Sequence, residues 1–238
     1  MHILVLDGNH VETEFREKFG SAHEYTFLHT AHGPERDEDA VQQVIDVAAA
    51  TAAVAFFFPA QFAADAPYRL LAAATFPVFV ETTCHSLADS LSDPKNGPTT
   101  GLFFGFCGLP TLLNRQLLEV SVFHEADHEQ LAATCATLGT DFRVVADRVG
   151  LVTPRVICQI INEACFTVQE GTATMQDVDL GMKLGTNYPH GPFAWANAIG
   201  VPRVYRVLES LWNDTHDERY KICPLLKRQA QRGEPFAV

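Results

Sequence analysis

The apolar pattern of this chain changes character part-way along. Up to Asp147, short apolar runs alternate with amphipathic stretches. Ile3–Leu6, Tyr25–Leu28, Ala53–Phe58, Pro77–Glu81, Gly101–Phe106, Leu117–Phe123 and Phe142–Ala146 read as strands, because they are short and rich in β-branched and aromatic residues. Asp37–Ala50 carries Val41, Val44, Ile45, Ala48 and Ala49 at helical spacing, and Ala66–Ala74 is a second helix. Asp127–Leu138 is a third, with an acidic N-cap, Gln130 three residues later and Gly139 at its end. Strands alternating with helices predict βαβ units around a largely parallel sheet, covered on both faces.

After Asp147 the strand signal stops. Val152, Val156, Ile160, Ala164 and Val168 form one ridge at i+4 spacing, with Ile157, Ile161 and Cys165 beside it. Thr153-Pro154 predicts an N-cap followed by proline at the first helical position. Thr174 and Asp177 cap a helix over Val178–Leu184, and Val201–Trp212 is another. The predicted fold is α/β: a parallel-sheet domain over residues 1–147, then an all-α domain over residues 148–238. The boundary falls at Ala146–Gly150.

Composition narrows the function classes. The chain has 238 residues, 47% of them hydrophobic, which suits one large domain or two small ones. A net charge of -12 argues against a general partner of nucleic acid or of membrane surfaces, since phosphates attract basic patches. The N-terminal apolar run is too short for a signal segment. Val47–Phe58, the longest apolar candidate for a span, is interrupted by Thr51 and stops at Pro59. The expected location is cytoplasmic. Six cysteines lack any CxxC pair, so reduced, buried thiols are expected rather than a zinc site. His124 and His128 stand four apart, but no carboxylate motif completes a metal site.

The most specific pattern is Gly171–Gly200, GTATMQDVDLGMKLGTNYPHGPFAWANAIG. A capped helix ends in Lys183-Leu184-Gly185, where Gly185 suits a left-handed terminus. The turn Tyr188-Pro189-His190-Gly191-Pro192-Phe193 follows, stiffened by its prolines. Upstream, Asp147, Gly150 and Arg155 fall where an Asp-Thr-Pro-Gly-Phe-x-x-Asn-Arg run is expected. In these features residues 148–231 resemble the C-terminal helical domain of the 3-hydroxyacyl-CoA dehydrogenase family. The resemblance implies a shortened Rossmann-like domain before it and NAD as cofactor. It also implies an acyl-CoA-type ligand in the cleft between domains and a homodimer formed through the helical domain.

The first half departs from that family's motifs. The family's Gly-x-Gly-x-x-Gly loop brings backbone N–H groups to a pyrophosphate at a helix N-terminus. Here Asp7, Asn9 and Glu12 stand at the three glycine positions, and a shift by one residue keeps only Gly8. Gly8 and Asn9 are the residues left to hold a cofactor. Two carboxylates there repel a pyrophosphate by roughly a kcal/mol each. His29-Thr30 replace the acidic residue expected to take the ribose hydroxyls. The expectation is that no cofactor binds, or NAD if the family function persists.

The family's catalytic pair is a His, as general base, and a Glu twelve residues on that orients it. Cys107 and Glu119 have that spacing. Another register, anchored on Gly101-Leu102, puts Phe103 in the histidine slot; neither restores a histidine. A thiol with a pKa of about 8.5 is mostly protonated at neutral pH. The family's Asn-Thr-Ser-Ser-Leu run becomes Thr83-Cys84-His85-Ser86-Leu87, so His85 replaces one serine and Ser86 keeps the other. Pro154 replaces a substrate-binding Asn beside Arg155. Cys107, Glu119, His85 and His190 are therefore the candidate catalytic residues, with Ser86 and Arg155 for substrate. Three readings stay open. The chain is a divergent family protein without the standard oxidation that keeps an acyl-CoA-type ligand; or an active 3-hydroxyacyl-CoA (3-hydroxybutyryl-CoA) dehydrogenase or related oxidoreductase with relocated groups; or a non-enzymatic dimerisation protein.

Overall fold

A computed structural model describes residues 1–29, 46–59, 74–91 and 101–238. The chain forms two compact units: Met1–Gly108 with Leu113–Leu151, and Leu109–Leu112 with Val152–Val238.

The first unit is built on a seven-stranded sheet. Its strands are β1 (His2–Leu6), β2 (Glu24–Leu28), β3 (Val54–Phe57), β4 (Val78–Glu81), β5 (Phe103–Phe106), β6 (Leu117–Val122) and β7 (Asp141–Val144). Their spatial order is β2-β1-β3-β4-β5-β6-β7. Strands β1 to β5 are parallel; β6 is antiparallel to β5, and β7 runs parallel to β6. This is the Rossmann-like, mostly parallel sheet expected from the sequence.

Both faces are covered, which is why these strands are apolar at successive positions rather than alternate ones. On one face Ile3, Val5, Phe56, Phe79, Phe104 and Phe106 pack under α1 (Glu12–Phe19) and α3 (His128–Leu138). Phe56 and Phe79 stack there at 4.7 Å. On the other, Leu4, Leu6, Phe57, Val80 and Phe103 pack under the short α2 (Leu87–Leu91). The Phe56-Phe57-Phe58 run is core. Helix α1 escaped the periodicity reading because it buries only Phe15 and Phe19, among charged neighbours. The helix expected over Asp37–Ala50 falls mostly outside the described residues, with Asp46–Ala49 helical, and Ala66–Ala74 falls outside but for Ala74.

The second unit is helical: α4 (Thr153–Gln169), α5 (Met175–Thr186), α6 (Pro192–Ile199), α7 (Val201–Thr215) and α8 (Pro224–Arg232). Two local expectations are corrected. Helix α4 starts at Thr153, so Val152 and not Thr153 is its cap; Pro154 still fits, because first-turn N–H groups have no helical partner. Helix α5 runs through Gly185 and ends at Asn187, with φ 56°; asparagine tolerates that left-handed conformation. The Thr174–Asp177 capping box forms as predicted.

Polar side chains tie these helices together. Asn162, 3% exposed, accepts from Cys223 N and donates to Lys221 O, both at 2.9 Å. Asp179 on α5 accepts from Phe193 N at 2.8 Å and Ala194 N at 2.9 Å, and so caps α6 from another helix. This explains the Gly-Pro-Phe turn. A Cβ on Gly191 would lie 2.6 Å from Asp179 Cα, with the carboxyl group nearer still.

Candidate functional site

Most candidate residues lie at the carboxyl ends of the parallel strands, and they divide into two groups. The first follows β1 and β2. Asp7 takes a left-handed turn, φ 57°, and its N–H donates to Leu28 O at the end of β2. Its side chain is 7% exposed, and Oδ1 lies 3.0 Å from His29 Nδ1. The residues at the first-glycine and ribose positions thus face each other across the β1 and β2 ends. Gly8 and Asn9 lead into a short turn, and α1 begins with Glu12 and Glu14 in its first turn, without a side-chain cap. Arg16 pairs with Glu12 at 2.8 Å, and its guanidinium lies 4.9 Å from the Tyr25 ring centre. The local cation is already engaged. Gly8 adjoins Phe58, and the carboxylates of Asp7, Glu12 and Glu14 do not favour a pyrophosphate here.

The second group lies on the α2 face of β4, β5 and β6. The antiparallel pairing joins Phe104 with Val122, Gly105 with Ser121 and Phe106 with Val120, and it ends one residue before Cys107. Directly opposed residues of an antiparallel pair share a face, as do residues two apart on a strand, so Gly105, Ser121 and Glu119 are on one side. Cys107 is buried and Glu119 half-buried. Phe103, the other slot, is packed into the core. A Cβ on Gly105 would lie 2.6 Å from Thr82 Oγ1, with Ser121 Oγ closer still, so these two buried hydroxyls flank it.

His85 belongs to the loop between β4 and α2. Its Nε2 is buried without a hydrogen-bond partner, as is Thr82 Oγ1. Burial lowers the His85 pKa, while the charges of Asp89 and Asp147 act to raise it. Asp147 fixes this loop: it accepts from Leu87 N at 2.8 Å, Ala88 N at 2.9 Å and Ser121 Oγ at 3.2 Å. Ser86 Oγ accepts from Asp89 N at 3.0 Å, which gives this serine a capping role in α2. Thr82 and Ser121 were passed over in the sequence. Their signal was available: hydroxyl positions at the ends of otherwise apolar strands.

Arg155 and His190 lie in the helical unit. Arg155 hydrogen-bonds the Tyr220 hydroxyl and lies over its ring. His190 is exposed, 5.7 Å from the Trp195 ring; Trp195 donates to Thr111 Oγ1 at 2.9 Å. Among the described residues no cluster could hold a metal ion, and no helix is long and apolar enough to cross a membrane.

Residues 150–235 match the 3-hydroxyacyl-CoA dehydrogenase C-terminal domain. These residues of the helical unit carry the likeness to the 3-hydroxyacyl-CoA dehydrogenase family. It is similar to 3-hydroxyadipyl-CoA dehydrogenase of Escherichia coli (strain K12), 44% identical over 36% of this chain and 18% of that protein. It is also similar to a probable 3-hydroxybutyryl-CoA dehydrogenase of Bacillus subtilis (strain 168), 40% identical over 37% of this chain and 31% of that one. The matched regions thus span less than a third of these curated relatives. The fold extends the likeness. The (S)-3-hydroxybutyryl-CoA dehydrogenase of Ralstonia eutropha superposes with a TM-score of 0.68 at 18% identity, over 98% of this chain and 94% of that one. The 3-hydroxybutyryl-CoA dehydrogenase of Escherichia coli K12 gives 0.71 at 16% identity, over 99% and 57%. The family likeness in sequence is thus confined to the helical unit, and over the rest of the chain the likeness is one of fold.

Proposed function

We propose that this chain is a divergent 3-hydroxyacyl-CoA dehydrogenase-family protein that binds an acyl-CoA-type ligand and does not carry out the NAD-dependent oxidation. One observation carries the reading: the Asp7 carboxylate, enclosed and engaged with His29, stands at the end of β1. A dinucleotide fold has glycine there for the tight turn, a second glycine two residues on for close backbone approach, and an anion-accepting helix N-terminus beyond. Here the helix offers Glu12 and Glu14 instead. The acyl-CoA-type ligand is inferred from the family of the helical unit.

A second reading is favoured by His85. Its Nε2 is buried and unpartnered in the loop that Asp147 anchors, so a relocated general base there would give an active 3-hydroxybutyryl-CoA dehydrogenase or related oxidoreductase. In either case the chain forms a homodimer through its helical unit. Val152 and Val156 are one turn apart on the α4 side, and Leu180 and Leu184 one turn apart on α5, with 50%, 52%, 57% and 78% exposure. Apolar stripes of this kind mark contact surfaces.

Calorimetric titration of the purified chain with NADH, and separately with 3-hydroxybutyryl-CoA, tests the reading. Saturable heat with the thioester and none with NADH is expected. Saturable NADH binding with turnover would replace it by the second reading, and no heat with either ligand would leave a non-enzymatic dimerisation protein.

A further inference from the structure

The sheet reverses its order between β1 and β3: the chain steps from β1 out to β2, then back past β1 to β3. In open α/β sheets, the crevice beyond the carboxyl ends of strands at such a reversal is where ligands enter. Phe58, the first residue after β3, stands at this place. Its N–H donates to Leu6 O at the end of β1, and its side chain is 4% exposed.

The ring spans two glycines. One edge, Cε2 and Cδ2, lies 2.7 and 2.8 Å from where a Cβ on Gly8 would be. The opposite edge faces Gly108: a Cβ there would lie 3.0 Å from Cδ1, with Cε1 closer still. His10 and Phe106 meet the ring edge-on, at 5.5 and 5.4 Å. Neither glycine is required by its backbone. Gly8 has φ -92°, and Gly108 is not among the positive-φ glycines. What both positions need is space: Phe58 takes it at both, joined by Val5 Cγ1 beside Gly8 and by Glu81 Cγ, 2.8 Å from a Cβ on Gly108.

We infer that Phe58 is a built-in wedge in the switch-point crevice: Gly8 and Gly108 are the walls of its slot, and Gly8 serves the ring rather than a phosphate. The crevice that would admit a dinucleotide is filled by the chain's own side chain. The identity of the excluded ligand rests on the function proposed above; the packing does not.

A double-mutant cycle on the full chain tests this, with Gly108→Ala made in the native protein and in Phe58→Ala. In the native background the added methyl meets the ring, and the melting temperature falls by about 5 °C or more. In Phe58→Ala the same change costs less than half as much, because coupling is confined to groups in contact. Phe58→Leu, which lacks the ring edge but keeps apolar bulk, gives the same relief and serves if Phe58→Ala does not fold. Indole is the second probe: it raises the melting temperature of Phe58→Ala by filling the vacated slot, and leaves the native protein unchanged. Equal costs of Gly108→Ala in all backgrounds, with no indole effect, overturn the wedge alone. Saturable NADH binding by the native protein, with the coupling intact, overturns the proposed function and leaves the wedge.

Discussion

His85 is the residue whose chemistry is most exposed to test. Burial holds its pKa below the ordinary value of 6.5, against the pull of Asp89 and Asp147. The folded chain therefore takes up this proton at lower pH than the unfolded chain does. Above 6.5 both states are neutral at this site, and the stability from burying a neutral ring is fully present. As pH falls through the folded value the unfolded state binds the proton first, and that stability is lost. Thermal melts at about pH 7.5 and about pH 5 should show a smaller acid loss for His85→Gln than for the native chain. Equal losses would mean that the ring is not buried as described. If His85 also acts on a ligand, its Nε2 needs no new hydrogen bond broken first, since none is made to protein.

At the scale of elements, the helical unit owes its turn geometry to side chains reaching between helices. Asp179 supplies both acceptors for the first turn of α6, so Asp179→Ala leaves two N–H groups without partners. The expected cost is about 1–3 kcal/mol, read from the urea midpoint, with Asp179→Asn costing less. A midpoint unchanged by Asp179→Ala would show that water satisfies that turn.

Such contacts mark the limit of what the sequence discloses. Periodicity places β1 to β7, α3 and the α4 ridge, because each carries its own apolar spacing. It misses α1, whose buried residues are only Phe15 and Phe19. It also misses α2, a single turn held by Asp147 from sixty residues away in the chain. The spacing of twelve that relates Cys107 to Glu119 says nothing of Thr82 and Ser121, whose hydroxyls meet beside Gly105 only through the strand register. Phe58 was legible as core but not as a wedge, since its partners Gly8 and Gly108 lie fifty residues to either side.

For the whole molecule, the proposed homodimer rests on the exposed valines and leucines of the helical unit. A second copy covering them would remove four apolar side chains from water, at about 25 cal/mol per Å2 of apolar surface. Sedimentation of the native chain at micromolar concentration should report a dimer, and Leu184→Glu a monomer, because a carboxylate in an apolar contact loses its hydration. A native monomer under those conditions would remove the assembly from the proposal.

The cysteines have a practical consequence. All six are outside disulfides and five are buried. Burial pushes the Cys135 thiol up to about 11 and that of Cys165 higher. Cys84 alone is partly exposed, one residue before His85. A thiol-reactive dye thus finds one address on the unmodified chain. It lies on the loop anchored by Asp147, so fluorescence from that position would report ligand arrival at the β4 end without any engineered label.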